Sequence, residues 1–141
     1  MSGEATSLPD GPQLRIVRVH EVLDTPAEDG ELRVLVDRLW PRGVRKERLQ
    51  DTWWDKDACP SAELRREYHS GALERPAFAA RYRAELDRSG AAEELLGRAR
   101  GEHARVLSLL VAERDLASSH VHVLVDALVD AASPPHGDPP A

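Results

Sequence analysis

ELRVLVDRLWPRGV, residues 31–44, decides the fold. Its first seven residues, ELRVLVD, are a short apolar run with β-branched side chains, suited to a strand covered on both faces. A matching run, ARVLSLLVA (104–112), lies beyond a helical region. Upstream, LRIVRVHEVL (14–23) alternates, with Leu14, Ile16 and Val19 toward a core and arginines between them, as in a half-buried strand. Strands separated by helices pair in parallel. The expected fold is therefore a small three-layer, Rossmann-like α/β domain with a mainly parallel sheet flanked by helices.

The helices lie between the second and third strands, and after the third. Ser61 can cap a helix over AELRREYH, with Glu63 in its first turn. Pro76 opens another, in which Phe78, Tyr82 and Leu86 recur every four residues as one apolar stripe, and Ser89-Gly90 breaks it. AAEELLGRAR follows with Leu95 and Leu96 inward and Gly101 as its stop. Ser118 or Ser119 can cap a last helix in which Val121, Leu124, Val125 and Leu128 share a face.

Composition bounds the function. The 141 residues suit one domain, and Pro-rich, polar ends set its limits: a disordered N-terminal tail (1–12), the folded domain (13–132) and a disordered C-terminal tail (133–141). A net charge of −6 argues against a general nucleic-acid binder. The single Cys59 excludes an internal disulfide, and no signal peptide or long apolar run is present, so a cytoplasmic protein without membrane contact is expected. The sequence holds no Walker loop and no Gly-x-Gly-x-x-Gly, so P-loop nucleotides and nicotinamide cofactors lack a motif. Nothing in it bears on oligomeric state.

In parallel α/β sheets ligands bind beyond the carboxyl ends of the strands. That rule selects residues 37–43 after the second strand, and Glu113, Arg114, Asp115, Ser118, Ser119 and His120 after the third; if those strands are neighbours, the two segments meet. Arg38, Arg42, Arg45, Lys46 and Arg48 fall within eleven residues. Guanidinium groups fit carboxylates and phosphates, so Arg38 and Arg42 point to a small anionic ligand, with Arg114 and Ser118 as further contacts. Arg45, Lys46 and Arg48 read instead as the solvent face of a short helix. Trp40 offers a wall for a planar ligand or a plug for the core, and Gly43 permits a tight turn or close backbone approach. Asp37 and Asp115 end buried strands and are candidates for proton transfer, with ion pairs to Arg38 and Arg114 as the plainer reading. His120 is a candidate acid, base or ligand contact at a helix start. Cys59 before Pro60, with His69 ten residues on, admits an axial-ligand role toward haem iron or a metal ion.

VDRLWPRGV (36–44), KERL, KDACPSAELR and RYRAELD resemble the YeaO-like family, domain of unknown function 488, over roughly residues 14–129. The resemblance implies a small bacterial α/β domain and the importance of Asp37, Arg38, Trp40, Pro41, Arg42 and Gly43, without implying a reaction. Where many members carry Lys-Asp and then His-Asn-His before the last helix, this chain reads Arg114-Asp115 and Ser118-Ser119-His120. A family histidine falls at Ser70, with His69 one position away, and Cys59 replaces an apolar or small residue. These departures imply a specialised branch. The expected functions are an enzyme or ligand-binding protein for an anionic, planar, nucleotide-like molecule; a haem or metal protein using Cys59 or a histidine; or a non-catalytic interaction module.

Overall fold

The structure, a computed structural model, describes residues 5–8, 11–112 and 120–132. Five strands form one sheet: β1 (Ala5–Ser7), β2 (Gln13–Arg18), β3 (Glu31–Leu35), β4 (Thr52–Trp54) and β5 (Val106–Val111). Their spatial order is β1-β2-β5-β3-β4. β2, β5, β3 and β4 run parallel, and β1 closes the β2 edge antiparallel. The helices are α1 (Ala62–His69), α2 (Arg75–Ser89), α3 (Ala91–Gly101) and α4 (Val121–Ala132).

Side-chain alternation along the strands builds two cores. Leu14, Ile16, Leu32, Val34, Val36, Leu107, Leu109 and Val111 face one side, where α1–α4 lay down Leu64, Phe78, Tyr82, Leu86, Leu95, Leu96, Leu124 and Leu128. Val17, Leu35 and Leu110 face the other, under Val19, Leu49, Trp40, Val44 and Trp54. The third layer is thus a thin cover of loops and single 3-10 turns (Val19–Glu21, Lys46–Arg48). β3 is covered on both faces, as its mostly apolar run, interrupted by Arg33, leads one to expect.

Polar groups on the second face are tied off locally. Arg33 is 2% exposed. Its guanidinium donates to the carbonyls of Thr25, Pro26 and Gln50, holding the crossover loop onto the sheet. Glu31 lies 3.4 Å from Arg33 Nε and accepts the Ser108 hydroxyl at 2.7 Å.

The helix signals that fall on described residues act as read, while the cap expected at Ser118 or Ser119 lies outside them. Ser61 Oγ accepts Leu64 N–H at 3.1 Å, and Gly90 at φ 75° ends α2 and begins α3. Within the stretch read as an N-terminal tail, Ala5–Ser7 pairs with β2 and Leu8 is buried. Backbone pairing along an open edge does not need the apolar side chains on which the composition argument rests. Val19 is buried, but under the second face in a 3-10 turn, so β2 is shorter than the alternation suggests and covered on both sides. The C-terminal stretch 133–141 lies outside the described residues. No described helix is long and apolar enough to cross a membrane.

Candidate functional site

β3 and β5 are neighbours, so the chain segments leaving their carboxyl ends meet. The ladder continues one step past β3 through Val36 N–H to Leu110 O, and among the described residues no further backbone bond joins the two segments. Asp37 joins them instead: its Oδ2 accepts Ala112 N–H at 2.6 Å. His120, at the foot of α4, has Nε2 2.6 Å from Val36 O and 4.0 Å from Asp37 Oδ1. Desolvation raises the Asp37 carboxyl above the ordinary aspartate range, opposed by the Ala112 N–H, His120 and Arg65. The expected Asp37–Arg38 ion pair does not form; a backbone amide takes the carboxylate instead.

Beyond Asp37 the chain makes a turn. Val44 N–H bonds to Pro41 O at 3.3 Å, and Gly43, at the turn's third position, has φ 79°. No atom lies within 4 Å of where a Gly43 Cβ would stand, so the requirement for glycine there is conformational. Trp40 Nε1 donates to Val44 O at 2.6 Å and closes the loop. The Trp40 ring meets Trp54 edge-on at 5.3 Å, and Trp54 Nε1 donates to Asp37 O at 2.8 Å. Strand β4 therefore props the loop from beneath. Trp53, its neighbour, points to the other core and carries Arg98 stacked at 3.9 Å.

The loop borders a cleft of about 320 Å³ lined by Asp37, Arg38, Leu39, Trp40, Pro41, Arg42, Arg65 and Ala112. That volume lies at the small end of ligand pockets, which begin near ~300 Å³. Among the described residues no carboxylate lies within salt-bridge distance of Arg38, Arg42 or Arg65. Leu39 on the rim is 63% exposed. Arg65 escapes sequence reasoning because AELRREYH offers two adjacent arginines; only the packing of Leu64 turns Arg65 toward the cleft and leaves Arg66 in solvent. A larger, more open groove of about 860 Å³ along β4 and α3 has mixed charge, and its Arg98 is already paired with Glu102.

Of the other sequence-derived residues, Arg45, Lys46 and Arg48 are exposed around the 3-10 turn, and Arg48 is paired with Asp24 at 2.9 Å. Arg114, Asp115 and Ser118 lie outside the described residues. Cys59 is buried; its Sγ sits 3.4 Å from Asp55 O, and burial beside Asp37 and Asp55 pushes the thiol far up. His69 is exposed at the last residue of α1, which begins beyond Cys59, so about 12 Å of helix separates the two ends. The structure does not bring Cys59 and His69 together. Among the described residues no cluster of three or more His, Cys, Asp or Glu could hold a metal ion.

Fold and cleft define a small α/β domain with an arginine-lined opening beyond two adjacent parallel strands. The chain belongs to the family described as the inactive DUF488-N3 subclade, matched over residues 13–139. It is 41% identical over 119 residues to an uncharacterized protein of Mycobacterium tuberculosis, covering 82% of this chain and 93% of that one. It is 35% identical over 114 residues to the uncharacterized protein YeaO of Escherichia coli, covering 79% of this chain and 96% of YeaO. No solved structure matches the chain.

Proposed function

We propose that this protein is a cytoplasmic binding domain for a small, planar, anionic molecule of the nucleotide type, and that it binds without catalysing. The observation that carries this reading is the convergence of Arg38, Arg42 and Arg65 on one cleft, with no carboxylate in salt-bridge reach among the described residues. Guanidinium groups that no described carboxylate reaches, beside the apolar walls of Leu39, Trp40 and Pro41, suit an anion with a flat body. Of the candidate proton carriers among the described residues, Asp37 and His120 each have one atom tied to the backbone. Asp37 Oδ2 holds Ala112 N–H, and His120 Nε2 faces a carbonyl that can only accept. A non-catalytic role also fits a family described as inactive, and the partial loss of histidines before α4.

Native mass spectrometry of the freshly purified chain, followed by calorimetric titration with AMP and with inorganic phosphate, tests the reading. A saturable complex that weakens with salt is expected, and Arg42→Ala or Arg65→Ala should cost about tenfold or more in affinity, the worth of one charge-assisted hydrogen bond. Unchanged affinity in both variants, or no binding of either probe, would remove the claim.

A further inference from the structure

The cleft holds one group that a bare anion would not want. Among the described residues that line it, Asp37 is the sole carboxylate, and its side chain is 13% exposed. One oxygen is fixed, since Oδ2 accepts Ala112 N–H. The other is not. Oδ1 lies 4.0 Å from His120 Nε2, whose proton is directed to Val36 O, and among the described residues no donor reaches it. A carboxylate oxygen that meets no donor among the described residues is an acceptor open to a ligand, and a simple anion held by Arg38, Arg42 and Arg65 would face its charge.

A ligand that brings its own donor meets both conditions. We propose, building on the arginine-cleft reading above, that the ligand carries a hydroxyl group beside its anion and that Asp37 Oδ1 receives that hydroxyl, which places it among sugar and nucleoside phosphates. The division of labour follows the architecture. The anion meets guanidinium groups from the loop after β3 and from α1, while the hydroxyl meets a carboxylate anchored at the end of the sheet itself. An acidic side chain at a strand's carboxyl end is well placed for sugar hydroxyls, because an ionised carboxylate offers acceptors and no donors. The cleft of about 320 Å³ suits a mononucleotide or sugar phosphate better than a dinucleotide.

The test is a matched pair of probes titrated calorimetrically into the full chain: AMP against 2′,3′-dideoxy-AMP, and glycerol 3-phosphate against n-propyl phosphate, which differ only in hydroxyl groups. The hydroxylated member should bind about tenfold or more tightly, as one hydrogen bond to a charged acceptor allows. Asp37→Asn should erase that preference while binding the hydroxyl-free probe at least as well as the wild type, because a negative charge has gone. Arg42→Ala should weaken both members equally. Equal affinity within both pairs in the wild-type protein would overturn the hydroxyl inference and leave the arginine cleft standing. If no probe binds and inorganic phosphate fails as well, both readings fall. Should Asp37→Asn not fold, the wild-type comparison decides alone.

Discussion

His120 Nε2 stands 2.6 Å from the carbonyl oxygen of Val36, a residue 84 positions earlier in the chain. Because a carbonyl only accepts, that nitrogen carries the hydrogen, and the bond ties the foot of α4 to the end of β3 beside the cleft. Tyr82 presents its ring to the imidazole edge-on at 5.7 Å, and its hydroxyl donates to Ala58 O. The histidine thus joins sheet, α4 and α2 at one point. Replacing His120 with Ala should cost about 1–3 kcal/mol of stability, the range for leaving a buried acceptor unmet. Urea denaturation measures it; a change below about 0.5 kcal/mol, the scale of ordinary surface substitutions, would show that the contact holds nothing.

Much of this was legible in the sequence because strands β3 and β5 are short apolar runs that only a doubly covered sheet explains, and because Ser61, Pro76 and Gly90 punctuate the helices chemically. The order β2-β5-β3 was not legible, since the crossover from β2 to β3 contains a 3-10 turn and no α-helix. β4 escaped for a related reason: three residues, Thr52, Trp53 and Trp54, show no period, and the tryptophans point to opposite cores. Asp37, Arg38 and Arg42 could be placed by the rule for strand ends. Arg65 could not, because its role depends on how α1 rolls against the sheet.

Cys59 is 6% exposed, and burial beside two carboxyl groups raises its thiol well beyond the ordinary range. Only the thiolate attacks a disulfide reagent. The native protein should therefore leave Cys59 unmodified by DTNB at about pH 8, the ordinary thiol range, and react with one equivalent only on unfolding. Rapid labelling of the folded protein would contradict this environment and restore interest in Cys59 as a ligand.

Two glycines of the α2–α3 region should respond in opposite senses. Gly90 holds φ 75° where α2 stops and α3 starts, and its N–H bonds to Leu86 O at 3.0 Å. A Cβ there would meet nothing within 4 Å, so the cost is one of backbone conformation alone. Gly90→Ala should lose about 1–2 kcal/mol. Gly97 lies inside α3 with open space around it and no positive φ. Gly97→Ala should gain about 0.5–1 kcal/mol from a stiffer unfolded chain and better helix propensity. Thermal melts of the two variants should bracket the wild type.

Asp37 gives the fold a pH signature. Its carboxyl is held above the ordinary aspartate value of 3.8, chiefly by desolvation. The folded state therefore keeps a proton that the unfolded chain releases, and stability falls as pH rises from 3.8 through the folded value. Asparagine in its place retains a carbonyl oxygen for Ala112 N–H and does not titrate. Asp37→Asn should accordingly be at least as stable as the wild type near pH 7, with the advantage shrinking toward about pH 4 as the wild-type carboxyl takes up its proton. Histidines remote from Asp37 cancel in the comparison, whereas His120, which acts on the carboxyl, is read together with it. Urea denaturation of the pair across this range checks the sign: a wild type that gains on the variant as pH rises would mean that Arg65 and His120 outweigh burial, and that the cleft stabilises the ionised aspartate.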